Sequence, residues 1–173
     1  MNKDLDYRIR RATSEDFSGI KTLYQHVARQ GGGIARTEDE ITEEYIHHNL
    51  ASANTRGIAY VAEVGEQIVA EIHAYSPVPK VFAHILSDLT IAVHPDYQGS
   101  GIGRAIFSAL LDNVKQHQSD ILRVELFVRQ SNLKAITFYQ SLGFEIEGHF
   151  QQRVRRPDGA LEADVPMAWR RSL

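Results

Sequence analysis

The sequence predicts one mixed α/β domain of the α+β type. Helical and strand-like segments interleave along the whole chain, and glycine or proline punctuates them. The apolar share, 43% of 173 residues, suffices for one sizeable core. No internal repeat, low-complexity segment or linker interrupts the chain, so residues 1–173 read as a single domain. The order β-α-α-β-β-β-α-β-α-β-β implies a central sheet of about six to seven strands with four helices.

Each element has a local reason. Tyr7 to Ala12 reads as a short strand. Thr13-Ser-Glu-Asp16 has a capping-box pattern, and Phe17, Ile20, Leu23, Tyr24 and Val27 follow at helical spacing to about Gln30. Gly31-Gly32-Gly33 stops that helix. A second box, Thr37 to Glu40, is expected to open a helix carrying Ile41, Tyr45, Ile46 and Leu50. Gly57 to Val64 and Gln67 to Tyr75 read as strands joined at Gly65-Glu66. After Pro77 and Pro79, Phe82 to Val93 reads as a longer strand. Ile102, Ala105, Ile106, Ala109, Leu110 and Val114 mark a helix. Ile121 to Val128 is a strand, and Asn132 to Leu142 a short helix closed by Gly143. Phe144 to Phe150 and Asp164 to Arg170 are expected strands, joined through the turn Arg156-Pro-Asp-Gly159.

Composition excludes several kinds of chemistry. Without cysteine there is no disulfide, thiolate metal site or cysteine nucleophile. A net charge of -3 gives no basic field for nucleic acid. The opening MNKDLDYRIRRATSEDF has no apolar h-region, and no stretch reaches membrane-span length. The expectation is a soluble cytoplasmic protein with no nucleic-acid or membrane partner. His47 and His48 are adjacent on a helix and point apart, so they cannot share a metal, and none is expected.

The stretch HPDYQGSGIGR, His94 to Arg104, sets glycines 99, 101 and 103 between a strand and a helix. Glycine there permits positive φ and leaves the first helical N–H groups open to an anion. The spacing is neither G-x-G-x-x-G with its later ribose-binding acid nor a P-loop, which needs Gly-Lys-Ser/Thr. The alternative is a helix start where glycine only relieves packing.

Gln98-Gly-Ser-Gly101-Ile-Gly103 resembles the Gln/Arg-x-x-Gly-x-Gly/Ala signature of the Gcn5-related N-acetyltransferase (GNAT) superfamily. The preceding Asp88-Leu-Thr-Ile-Ala-Val93, then His94-Pro95 and Tyr97, are similar as well. So is Asn132-x-x-Ala135-x-x-Phe138-Tyr139-x-x-Leu142-Gly143-Phe144, which resembles the superfamily's second cofactor motif. The likeness runs from about Asp88 to Gly148. It implies the GNAT fold and acetyl transfer from acetyl-CoA to an amine by direct attack in a ternary complex. Backbone groups of Gln98, Gly99, Ser100, Gly101, Ile102, Gly103 and Arg104 would hold the pyrophosphate. Those of Ile91, Ala92 and Val93 would bind the pantetheine and polarise the thioester, and Asn132 would contact the cofactor. A homodimer rests on the resemblance alone.

The resemblance makes Tyr139 the acid that protonates the departing thiolate; by spacing alone it also fits a core aromatic. Asn132 equally fits a helix cap. Asp88 lies where phosphinothricin-type relatives carry a carboxylate, and reads as base or ammonium binder. Glu71, His73, His84 or water remain alternatives for the base. In relatives the acceptor site is walled by segments matching Gly31 to Thr37 and His149 to Asp164. Arg36 is a carboxylate binder or a solvated arginine, and Arg153, Arg155 and Arg156 read as a solvated hairpin. Gly143 to Gly148, Pro157-Asp-Gly159 and Pro166-Met-Ala168 resemble small-molecule members, so an amino acid or related amine is the expected acceptor. The rivals are a protein N-terminus or lysine as acceptor, and a non-catalytic acyl-CoA-binding module.

Overall fold

The computed structural model describes residues 5–31 and 33–172. The chain divides into two compact units: one runs up to Tyr75 and resumes over Thr90–Gln118, and the other takes Ser76–Leu89 and the chain from Ser119. Among the described residues eight strands and four α-helices make a mixed α/β fold.

In the first unit β1 (Arg8–Arg11), β2 (Gly57–Val64) and β3 (Gln67–Tyr75) are antiparallel neighbours. Next to β3 comes β4 (Ile85–Val93), whose second half belongs to this unit. The helices are α1 (Phe17–Gln30), α2 (Glu43–Arg56) and α3 (Ile102–His117). Side chains alternate across a strand, and both faces of β2 and β3 are apolar. Ala59, Val61 and Tyr75 join Ile20, Leu23 and Val27 of α1 and Ile46, Leu50 and Ala53 of α2 in one core. One residue out of phase, Ile58, Ala62, Ala70, Ile72 and Ala74 are also buried, and α3 contacts these strands. Fully burying each large aliphatic contributes roughly 1.5–3 kcal/mol. A sheet sandwiched in this way explains why even polar Glu71 and His73 on β3 are enclosed.

In the second unit the first half of β4 leads to β5 (Arg123–Arg129), then β8 (Leu161–Arg170). The far edge of β8 carries both β6 (Glu145–Ile146) and β7 (Phe150–Arg155). The only parallel pairing described is β4 with β5, at Ile85↔Arg123 and Leu86↔Val124. The ladder ends there, two residues before Asp88, whose φ of 49° is left-handed. Helix α4 (Leu133–Ser141) follows β5.

Four local expectations shift. The box at Thr37 forms, with Thr37 N donating to Glu40 Oε2 (2.8 Å), but it closes only a 3-10 turn. Thr42 caps α2 itself, accepting from Tyr45 N (3.2 Å), and Ile41 stays outside the helix. Phe82 lies in a 3-10 turn, Lys80–Phe82, so β4 begins later than expected. The expected strand Phe144 to Phe150 splits into β6 and β7, because Glu147 N turns to Pro166 O (3.0 Å) where Gly148 follows. The turn at Arg156–Gly159 is present, but β8 begins at Leu161 instead of Asp164. Gly32 of the triple glycine lies outside the described residues. No helix among those described is long and apolar enough to cross a membrane.

Candidate active site

The glycine segment is built from its neighbours' hydrogen bonds. β4 ends as His94 N donates to Val69 O (2.8 Å), and Pro95–Tyr97 makes one 3-10 turn. Gln98 Nε2 donates to Val93 O (3.3 Å), and Ser100 Oγ to Tyr97 O (2.5 Å), so both side chains pin the loop. Gly99 and Gly101 then take φ of 77° and 93°, where a side chain is strained. A Cβ built on either meets nothing within 4 Å. The space before α3 is therefore open and the backbone bare. Gly103 differs: its Cβ would lie 3.4 Å from Val93 Cγ2, so it serves close helix–strand approach.

Gly101 caps α3 without any side-chain bond. The first return bond is Ala105 N to Gly101 O (3.0 Å), and Ile102 N reaches only Ser100 Oγ at 3.5 Å. The amides that open a helix have no acceptor inside it, and those of Gly101, Ile102 and Gly103 add to the positive dipole of a 16-residue helix. Arg104 follows, exposed, in the first turn. These features fit a pyrophosphate, which needs close backbone donors and no intervening side chain.

On β4, Ala92 is buried in the first core, while Ile91 and Val93 are half-buried out of phase with it. Asp88 is exposed, at the left-handed residue. His84 is exposed ahead of the strand, its carbonyl accepting from Leu122 N (2.9 Å).

In the second unit Asn132 caps α4, with Oδ1 accepting from Ala135 N (3.2 Å). Tyr139 packs against Phe138 (5.5 Å between ring centroids) and Phe144 (6.1 Å). Burial pushes its phenol up to about 12, so it keeps its proton throughout the neutral range.

Glu71 and His73 are brought together by β3, and α1 adds a residue that spacing assigned only to the core. Tyr24 OH donates to Glu71 Oε2, His73 Nδ1 lies 3.0 Å from Glu71 Oε1, and Tyr24 OH is 3.3 Å from His73 Nδ1. Burial, then Glu71, pushes the Tyr24 phenol well above its ordinary range, so it stays a donor. A second unforeseen pair is His26 Nδ1 with His94 Nε2, at 3.2 Å. His94 Nδ1 accepts from Asp96 N (3.3 Å), which assigns the proton to Nε2. Arg36 rests 3.9 Å from the Tyr45 ring centroid. His47 stacks on Phe17 (4.0 Å) and His48 meets Tyr75 edge-on (6.1 Å), so the two do point apart. Among the described residues no group of three His, Asp or Glu is placed to hold a metal ion.

The family described as Acetyltransferase (GNAT) domain matches residues 55–146, just over half of the chain. The chain belongs to the GNAT family. The matched region spans β2 to β6 and so includes the glycine segment, Asn132 and Tyr139. The [Ribosomal protein bS18]-alanine N-acetyltransferase of Escherichia coli K12 is 48% identical over 54 residues. That stretch is 31% of this chain and 35% of the relative, so the likeness spans about a third of the relative's length. Among solved structures, a GNAT-family acetyltransferase from Streptococcus pneumoniae superposes with a TM-score of 0.82 at 22% identity, covering 95% of this chain and 99% of the other. A phosphinothricin acetyltransferase from Sinorhizobium meliloti, solved with acetyl-CoA, gives 0.82 at 17% identity, covering 95% and 88%. At these identities the GNAT structures establish the fold.

Proposed function

We propose that this GNAT chain is an acetyltransferase that moves the acetyl group of acetyl-CoA to the primary amine of a small molecule, an amino acid or related amine, by direct attack in a ternary complex. The observation that carries the reading is the bare, positive-φ backbone at Gly99 and Gly101, opening onto the N-terminus of α3. Acetyl-CoA supplies an activated thioester and an anionic pyrophosphate to match it. The residues assigned to hold it are Gln98, Gly99, Ser100, Gly101, Ile102, Gly103 and Arg104, with the backbone of Ile91, Ala92 and Val93 and the side chain of Asn132. Asn132 Oδ1 is committed to its cap, which leaves its amide nitrogen for that contact.

Tyr139 is assigned the proton donated to the departing thiolate, and a phenol held near 12 keeps that proton until needed. Asp88 is assigned the ammonium. Its left-handed backbone sits just past the last β4–β5 pair, and the side chain is exposed. The enclosed Glu71–His73 pair, engaged by Tyr24, is the alternative base.

A second reading has a specific observation behind it. The bS18-alanine relative matches at 48% identity over 54 residues, which favours a protein N-terminus as acceptor. Screening small amines and alanine-starting peptides with acetyl-CoA, and following CoA thiol release, separates the two. Turnover confined to peptides would replace the small-molecule reading. Tight acetyl-CoA binding with no turnover of any amine would sink the enzyme reading.

A further inference from the structure

One sheet face of the second unit presents a guanidinium that aromatic rings hold and that a carboxylate meets at Nε alone. On β5 Val124, Leu126 and Val128 are buried, which leaves Arg123, Glu125, Phe127 and Arg129 on the other face. β8 sets Asp164 opposite Arg129 and Pro166 opposite Phe127, and β7 sets Phe150 opposite Asp164. Phe127 and Phe150 thus share that face, both more than two-fifths exposed, with ring centroids 5.9 Å apart. Between Phe150↔Asp164 and Val154↔Glu162, residues Gln151, Gln152 and Arg153 stand against Ala163 alone. The bulge includes Gln152 at φ 57°, and Arg153 Cζ comes to rest 4.9 Å from the Phe127 centroid and 5.0 Å from that of Phe150.

The other guanidiniums that this unit pairs with carboxylates are closed by them. Arg123 meets Glu125 (2.7 Å) and Glu147, Arg156 meets Asp158 (2.8 Å), and Arg170 meets Glu145. Among the described residues the carboxylate that Arg153 meets is Asp164, with Nε 3.4 Å from Oδ2, and neither terminal nitrogen makes a hydrogen bond. Asp164 meets Arg153 only at Nε and so leaves the outer, two-nitrogen edge of the guanidinium uncovered. A planar guanidinium lying on aromatic rings, with both terminal nitrogens unengaged, is preorganised for a bidentate carboxylate.

We propose that Arg153, clamped on Phe127 and Phe150, binds the carboxylate of the acceptor, and that the exposed phenyl edges receive an apolar side chain beside it. The acceptor is then a free apolar amino acid. This rests on the acetyl-transfer reading and narrows its substrate class. Two sources of the carboxylate differ in a testable way: the α-carboxylate of a free amino acid, and the C-terminus of a short peptide.

Calorimetry on the protein loaded with CoA, which has no acetyl group to transfer, should compare L-leucine, 3-methylbutylamine (the same molecule without its carboxylate), leucine amide and Leu-Gly-Gly. The Arg153 Nε–Hε signal provides a second, activity-independent readout by NMR. L-Leucine should bind about tenfold to hundredfold tighter than either carboxylate-free amine, the scale of a charge-assisted bidentate contact, and should shift that signal. Arg153→Gln should collapse the leucine-to-amine ratio, and Arg153→Lys should restore only part of it. Phe127→Ala with Phe150→Ala, which keeps the charge and removes the clamp, should also reduce the ratio. Equal binding of leucine and 3-methylbutylamine to the unaltered protein overturns the subsite. A ratio unchanged in folded Arg153→Gln, or Leu-Gly-Gly binding tighter than leucine, overturns it too. Selective leucine binding without any acetylation would leave the subsite standing and defeat the transferase reading instead.

Discussion

Helices α3 and α4 both begin at segments proposed to hold the cofactor, and they begin in opposite ways. At α3 the cap is Gly101 in a left-handed conformation, with no side-chain bond and open space above it. At α4 Asn132 folds its own carbonyl oxygen back onto Ala135 N. The first start leaves its donors and its dipole open; the second turns one of them, Ala135 N, back onto the protein. The same physical defect, amides without acceptors in the first turn, is left without a side-chain cap in one helix and capped at one amide, Ala135 N, in the other. Only the open start suits an anion, and only the repaired one gives a neighbouring side chain such as Tyr139 a fixed frame.

The sharpest way to break that contrast is Gly101→Glu. It places a strained side chain and a negative charge at the open start, and acetyl-CoA affinity should fall by more than about a hundredfold. Calorimetry reads it directly, and retained affinity would remove the loop from the cofactor site. Next in size, Tyr139→Phe should lower kcat by about a hundredfold, on the scale of general-acid catalysis, with acetyl-CoA affinity within about twofold. Unchanged turnover would return Tyr139 to the role of a core aromatic.

The same variant carries a pH test. Because burial raises the folded phenol from 10 to about 12, its contribution to stability is complete below about pH 10. It is lost as pH rises toward 12, so Tyr139→Phe should unfold less steeply across that window in alkaline melts. Gly99→Ala should be milder than Gly101→Glu, adding only left-handed strain of about 1–2 kcal/mol, visible as a lowered Tm. Smallest of all, Asn132→Ala should cost about 1 kcal/mol of stability through the lost cap. A fall in acetyl-CoA affinity beyond that, measured at a temperature where the variant is folded, would show that the asparagine serves both helix and ligand.

Both helix starts were legible before any coordinates, because each is a short-range affair. Positive φ, a cap and an i to i+3 bond are settled within four or five residues, and spacing exposes them. Element boundaries were less so. The Thr37 box and Thr42 compete within a few residues, and Phe144 to Phe150 breaks only because Pro166 of a later strand accepts from Glu147. The left-handed Asp88 was half legible: aspartate is rare in strands and tolerates positive φ, which suits a bend, but nothing local requires that backbone there.

The sequence by itself determined the interleaved α/β class and the family resemblance, and it marked Gly101 and Asn132 as helix starts. Tertiary structure alone decided which polar groups meet. Tyr24 and Glu71 stand 47 residues apart in sequence, His26 and His94 stand 68 apart, and Arg153 reaches Phe127 through a bulge on β7. Those meetings depend on strand register and helix packing. A shift of one residue along a strand would turn its side chains to the opposite face, and only packing of helix on sheet brings residues so distant in sequence within bonding reach.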